Sequence, residues 1–167
     1  MNAKGRVDRR TSYFTEPVPW PHVDEVLRTA EMYWLSTVRE DGRPHVTPIL
    51  GLWRTDTFRF ISQWDDQKVC NIAHDPAVAV TTGVSTWRSG LDVVVEGSAK
   101  QLTEPAAMRD VVAGFVEKYG RDPLIEVTGS LFEFDGRVCH VFQVVADKVL
   151  AFSKSPHGQT RFRPPLG

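Results

Sequence analysis

The sequence predicts a mainly β (α+β) fold, a six- or seven-stranded antiparallel barrel with flanking helices. Three observations carry this expectation. Short alternating segments recur, and Asp-Gly pairs at 41–42 and 135–136 supply turns whose glycine accepts positive φ. Helical periodicity is confined to three stretches. The order β-β-β-α-β-β-α-β-β lacks the βαβ alternation of a doubly wound sheet, and no internal repeat is visible.

Residues 1–20, with Arg6, Arg9, Arg10, Pro17 and Pro19, show no hydrophobic period. They read as an extended or mobile arm that could order by wrapping a partner subunit. Residues 21–167 read as a single domain. Val23, Val26, Leu27 and Ala30 fall at i, i+3, i+4 and i+7, giving a helix that starts at Pro21 and ends near Met32.

Residues 33–39 then alternate, with Trp34, Ser36 and Val38 on one face and Tyr33, Leu35, Thr37 and Arg39 on the other. Asp41 and Gly42 reverse the chain. In the returning strand Val46, Pro48, Leu50 and Leu52 oppose His45, Thr47, Ile49, Gly51 and Trp53. Pro48 has no donor for a ladder, so it marks an edge, a bulge or a bend. Phe58 and Phe60 alternate with Arg59 and Ile61 in a third strand. A short helix follows from about Asp66, with Asp65 or Asp66 as cap and Val69, Ile72 and Ala73 as its buried face; His74, Asp75 and Pro76 stop it.

Residues 77–82 read as a buried strand and 91–102 as a longer one. Thr103 is placed to cap a helix whose stripe is Met108, Val111, Val112, Phe115, Val116 and Tyr119 and which Gly120 terminates. After an irregular stretch around Asp122 and Pro123, a final β region spans about 131–152, with turns at 135–136 and 147–148. The tail KSPHGQTRFRPPLG has no apparent period.

A chain of 167 residues buries roughly 70% of its unfolded surface, enough for a core without staples. Hydrophobic content of 41% and charged content of 25% are ordinary globular values. The formal net charge of −1 gives no global attraction to nucleic acid or to an anionic membrane, so neither partner is expected and any anion site must be local. The basic start lacks an apolar signal core, and no apolar run reaches the length of about 18 residues that a span needs. A soluble cytoplasmic protein is expected. Cys70 and Cys139 form no C-x-x-C pair and read as small buried hydrophobes.

The five histidines show no H-E-x-x-H pattern, so no metal site is expected. G-x-S-x-G, Walker A and strand-borne G-x-G-x-x-G motifs are absent too, which lowers the weight of hydrolase, nucleotidyl-transfer and dinucleotide-binding chemistry. Lys68 is the sharpest candidate. It falls in the first turn of a helix directly after a strand, where free N–H groups and the helix dipole favour an anion. Ser62, Gln63 and Gln67 add hydrogen-bonding capacity beside it; the alternative is a solvated surface lysine. Asn71 could contact a cofactor, although closing a loop suits it better. Thr47 and Pro48 could offer backbone groups to a planar ring or simply bend the barrel. Gln159, Thr160, Arg161 and Phe162 bring together a hydroxyl, a guanidinium and an aromatic face, suited to a ring edge or an anionic tail, or they end the chain as a frayed terminus.

Four segments in order, STVREDGRPHVTPI, QKVCNIAHDPAVAV, DVVVEGSAKQL and QTRFR, carry a resemblance that extends over about residues 25–163. They resemble the pyridoxamine 5'-phosphate oxidase-like split β-barrel proteins, and within these the flavin/deazaflavin oxidoreductase group. The resemblance implies a homodimeric split barrel that binds FMN or coenzyme F420 in a groove between subunits. It implies that Lys68 holds the cofactor phosphate with Ser62 and Gln67 nearby, and that Thr47, Pro48 and Ile49 form the strand approaching the ring. Thr160 and Arg161 would make the tail contact from the other subunit. The chain departs from the family pattern at Gln67, where many relatives carry a second basic residue, and it lacks the full arginine set of a true pyridoxamine phosphate oxidase. The implied activity is F420- or FMN-dependent hydride transfer to or from a small unsaturated or aromatic substrate, with the QTRFR tail closer to the deazaflavin users. A non-catalytic carrier of flavin, tetrapyrrole or another anionic ligand is the alternative.

Overall fold

The period-two patterns become the pleat of one antiparallel sheet in the computed structural model, which describes residues 3–13, 16–120, 125–128, 131–134 and 136–165, with the backbone alone at 125–128, 131–132 and 134. In chain order the elements are β1 Arg6–Val7, α1 Trp20–Thr29, β2 Tyr33–Val38, β3 Pro44–Ile49, β4 Leu52–Arg54, β5 Thr57–Gln63 and α2 Gln67–His74. They continue with β6 Ala77–Thr82, β7 Leu91–Leu102, α3 Pro105–Tyr119, β8 Ile125–Thr128, β9 Leu131–Phe134, β10 Arg137–Lys154 and β11 His157–Phe162.

The main path runs β1-β11-β10-β7-β6-β2-β3, with β5 and β9 also paired to β10, β4 to β5 and β8 to β9. Among the described residues seven strands have six or more residues, and the expected mainly β class with an open, split barrel is what forms. The extra strands β1, β4, β8 and β9 are short additions. The spine is β10, which pairs along most of its length with β7, while its other edge passes from β5 at residues 139–145 to β11 at 149–154. A register shift between Ala146 and Lys148 marks the change of partner. The turn expected at 147–148 is therefore a bulge inside one long strand, an insertion that bends and twists a strand without ending it.

The barrel interior is filled by aromatic and β-branched side chains. Tyr33 meets Phe58 edge-on at 4.7 Å, and Phe60 stacks on Phe142 at 5.3 Å. Fully burying one such side chain is worth about 1.5–3 kcal/mol. At one end Val23 and Leu27 of α1 are buried, Trp20 packs edge-on against Phe162 at 5.1 Å, and Trp53 donates through Nε1 to Asp24 at 2.9 Å. Val111 and Phe115 of α3 form a second cluster with Leu52, Cys139 and Val141.

Several local expectations are corrected. α1 stops at Thr29, short of Met32. The cap of α3 is Glu104 rather than Thr103: its carboxylate accepts from the N–H groups of Ala106 and Ala107, with Pro105 at the first helical position. Ala73 and Val116 face solvent, and Cys70 is exposed on α2 rather than buried. The tail forms β11, whose Gly158, Thr160 and Phe162 are buried in alternation with His157, Gln159 and Arg161; small and polar residues on the buried face hid this period. Arg6 and Val7 pair with β11 of the same chain. Asp122, Pro123 and Asp135 lie outside the described residues.

Candidate functional site

The strand-to-helix handover from β5 to α2 is organised by one carboxylate. Asp66 occupies the N-cap position of α2, yet its side chain does not cap the helix. It turns back instead. Asp66 Oδ2 accepts from Ser62 Oγ at 2.5 Å, from the Gln63 N–H at 3.1 Å and from Lys68 Nζ at 2.7 Å. Burial pushes the Asp66 carboxyl up, but hydrogen bonds from Lys68 and Ser62 and the Lys68 charge outweigh it and hold the group below its ordinary value. The result is an ion pair in which the Lys68 side chain is 14% exposed.

This pair forms the polar end of a groove of about 310 Å³. Ser62, Gln63, Asp66 and Lys68 supply its polar wall; Pro48, Ile49 and Leu50 at the end of β3, with Ile61 and Cys139, supply the apolar one. The groove opens between β3 and β5, which are not hydrogen-bonded to each other. The split in the barrel creates it. Five residues singled out from the sequence, Pro48, Ile49, Ser62, Gln63 and Lys68, thus meet in one place.

The other five stand elsewhere. Thr47 donates its hydroxyl to the Pro48 carbonyl at 3.1 Å. Gln67 is exposed and donates through Nε2 to Asn71 Oδ1 at 2.8 Å, while Asn71, 2% exposed, donates through Nδ2 to Thr37 Oγ1 at 2.8 Å. Asn71 fastens α2 to β2. Thr160 is fully buried and its hydroxyl accepts from the Val18 N–H at 3.0 Å. Arg161 lines a different cleft, beside Arg6 and Arg10. Within one chain, neither Thr160 nor Arg161 lines the Lys68 groove.

Sequence reasoning gave Asp66 a capping role and missed its hold on Lys68; the D-x-K spacing was the available signal. Leu50, Ile61 and Cys139 were missed as lining residues because ordinary apolar positions carry no mark of which cavity they face. Beside the groove, the outer face of β2 and β3 exposes Trp34 at 53% and Val46 at 54%, an apolar surface on an edge strand.

The family model described as Pyridoxamine 5'-phosphate oxidase matches residues 19–149. A search of curated proteins finds no match. Among solved structures, the chain is similar to a heme binding protein from Mycobacterium smegmatis (TM-score 0.67, 11% identity, covering 89% of this chain and 60% of that one). It is also similar to a Clostridium acetobutylicum protein described as related to a general stress protein and assigned to the pyridoxinephosphate oxidase family (TM-score 0.64, 13% identity, 87% and 94%). A third is an FAD-binding protein from Mesorhizobium loti (TM-score 0.54, 17% identity, 81% and 90%). At these identities the likeness is one of fold.

Proposed function

Because the chain belongs to the pyridoxamine 5'-phosphate oxidase family, we propose that it is a cytoplasmic, homodimeric oxidoreductase whose Lys68 groove holds a flavin-type cofactor, FMN or coenzyme F420. The substrate class is a small unsaturated or aromatic molecule that exchanges a hydride with that cofactor.

The observation that carries this reading is the meeting of a largely buried ammonium, a buried hydroxyl and a side-chain amide at one end of a slot walled by Pro48, Ile49 and Ile61. That donor set fits a phosphate, and the apolar wall fits the flat body of a ring. When bound, the cofactor supplies the hydride chemistry. Lys68, Ser62 and Gln63 would hold the anionic end, and Pro48 and Ile49 would orient the ring and keep water from one face. An acid-base dyad is not needed for such a division of labour. The exposed Trp34 and Val46 favour a second copy of the chain covering the β2–β3 face, next to the groove.

A second reading is a non-catalytic carrier of flavin, tetrapyrrole or another anionic ligand; the Asp66 carboxylate, 2.7 Å from the ammonium, opposes a phosphate in either reading and so does not choose between them. The haem-binding likeness is compatible with that reading. Fluorescence titration of the purified protein with FMN and with F420, followed by reduction assays over a broad substrate panel, separates the two. Turnover supports the oxidoreductase, and tight binding without turnover supports the carrier. Failure to bind either cofactor at millimolar concentration overturns the oxidoreductase and a flavin carrier, and failure to bind haem as well overturns a tetrapyrrole carrier.

A further inference from the structure

Four arginines meet where the N-terminal segment crosses the C-terminal strand. Arg6, Arg9, Arg10 and Arg161 line a cleft of about 300 Å³ together with Asp8 and Gln159. The antiparallel register sets Arg6 directly opposite Arg161, a like-charge cross-strand pairing that costs stability. Among the described residues Asp8 is the one carboxylate lining the cleft, and Arg10 already engages it: Asp8 Oδ1 accepts from Arg10 N at 3.0 Å and Nε at 3.1 Å, and Oδ2 from Nη2 at 3.0 Å. Among the described residues, no carboxylate forms a salt bridge with Arg6, Arg9 or Arg161. The cleft therefore concentrates a formal excess of three positive charges in a chain whose net charge is −1.

Hydrogen bonds from backbone N–H groups hold the two segments that carry these charges side by side. The Asp8 N–H donates to the Gln159 carbonyl at 2.9 Å, the Gln159 N–H to Ser12 Oγ at 2.9 Å and the Tyr13 N–H to the His157 carbonyl at 2.8 Å. Val18 N–H closes the attachment on Thr160 Oγ1 at 3.0 Å. A sequence that spends stability on holding like charges face to face conflicts with its own fold, and such conflicts concentrate at functional positions. We propose that the cleft between β1 and β11 is a binding site for a small multivalent oxyanion, phosphorylated or polycarboxylate, separate from the Lys68 groove. Forked guanidiniums suit both anion types, since each presents paired N–H donors to paired oxygens. Because one wall is the N-terminal segment, binding tightens that segment onto β11.

The test is isothermal titration with pyrophosphate and with citrate against sodium chloride of matched ionic strength, on the full chain and on three variants. The wild type should bind at least one of the two anions, and binding should weaken at least tenfold in Arg6→Gln and in Arg161→Gln while persisting in Lys68→Ala. Stronger binding of pyrophosphate assigns a phosphorylated ligand, and stronger binding of citrate a polycarboxylate. Without anion, Arg6→Gln should raise the melting temperature by relieving the repulsion, and it should abolish the pyrophosphate-dependent rise. Trypsin cleavage after Arg9 and Arg10 should slow when pyrophosphate is added to the wild type. No binding beyond the chloride control overturns the proposal. Binding lost in Lys68→Ala but kept in Arg161→Gln also overturns it, because the anion then sits in the groove. The first result leaves the cofactor reading untouched, and the second would support the Lys68 groove as an anion site, so the two proposals fail separately.

Discussion

Lys68 Nζ lies 2.7 Å from Asp66 Oδ2, two residues earlier at the start of α2. The pair fixes the charge at the polar end of the groove. A phosphate that reaches Lys68 must compete with a carboxylate already anchored by Ser62 and by the Gln63 N–H. Replacing Lys68 with alanine should weaken FMN or F420 binding by about 1–3 kcal/mol, the scale of a lost charge-assisted hydrogen bond. Fluorescence titration measures this, and an unchanged dissociation constant removes Lys68 from the site.

Asp66→Asn has the opposite expected sign. The amide oxygen can still accept from Ser62 and Gln63, while the negative charge facing the phosphate is gone. Cofactor affinity should rise several-fold, about 1 kcal/mol. A weaker complex would instead show that the carboxylate serves to position the ammonium.

Gly51 sits in the link between β3 and β4, buried against Phe58, and a Cβ there would fall inside the van der Waals envelope of that ring. Phe58 is itself pinned between Tyr33 and Phe60. Gly51→Ala should destabilise the fold by about 1–3 kcal/mol through overpacking, read as a lower urea midpoint with an unchanged slope.

Lys118 on α3 donates to the Tyr33 hydroxyl at 2.8 Å and to the Gly51 carbonyl at 2.9 Å. Burial lowers its pKa to about 8 from 10.5, although the Glu31 charge works the other way. The unfolded chain then binds more protons than the folded one between those values, so stability should rise with pH across that window. The penalty is full below pH about 8 and gone above 10.5. Burial raises Tyr33 and Tyr119, so above about pH 10 the unfolded chain loses phenol protons first and stability should fall. Urea unfolding from pH 7 to 11 should show a maximum near pH 10, and Lys118→Met should flatten the rising limb. A flat profile in the wild type would show that Lys118 titrates as it does in water.

The β2–β3 face offers a direct check on assembly. Trp34→Asp introduces a charge into the exposed apolar surface that also contains Val46. If a second copy covers it, sedimentation velocity should show wild-type dimer and variant monomer with unchanged far-ultraviolet dichroism. Equal sedimentation of the two would place any interface elsewhere.

Features that depend on neighbours in sequence were legible from the start. The β2–β3 hairpin follows from alternation around Gly42, whose φ of 81° suits the turn, and α3 ends at Gly120, with φ of 78°. Lys68 at a helix start, with Ser62 and Gln63 beside it and Pro48 interrupting a strand, could be picked out because strand period and helix onset are written locally, while Ile49 was named only through the family resemblance. What neighbours do not encode is which strand lies beside which. β11 looked shapeless because Gly158 and Thr160 are buried through their flanking strands rather than through their own hydrophobicity. The bulge at Asp147 arises where β10 exchanges β5 for β11. Asp66 turns to Lys68 because Ser62, the Gln63 N–H and the ammonium converge on it in three dimensions, and Arg6 faces Arg161 because sheet register joins the two ends of the chain. The sequence by itself determined most of the element types and marked Lys68, Ser62, Gln63 and Pro48 of the groove, since periodicity and turn stereochemistry act over a few residues. The ion pair that tunes the groove and the arginine cleft were decided by long-range pairing, which exists only once the sheet has formed.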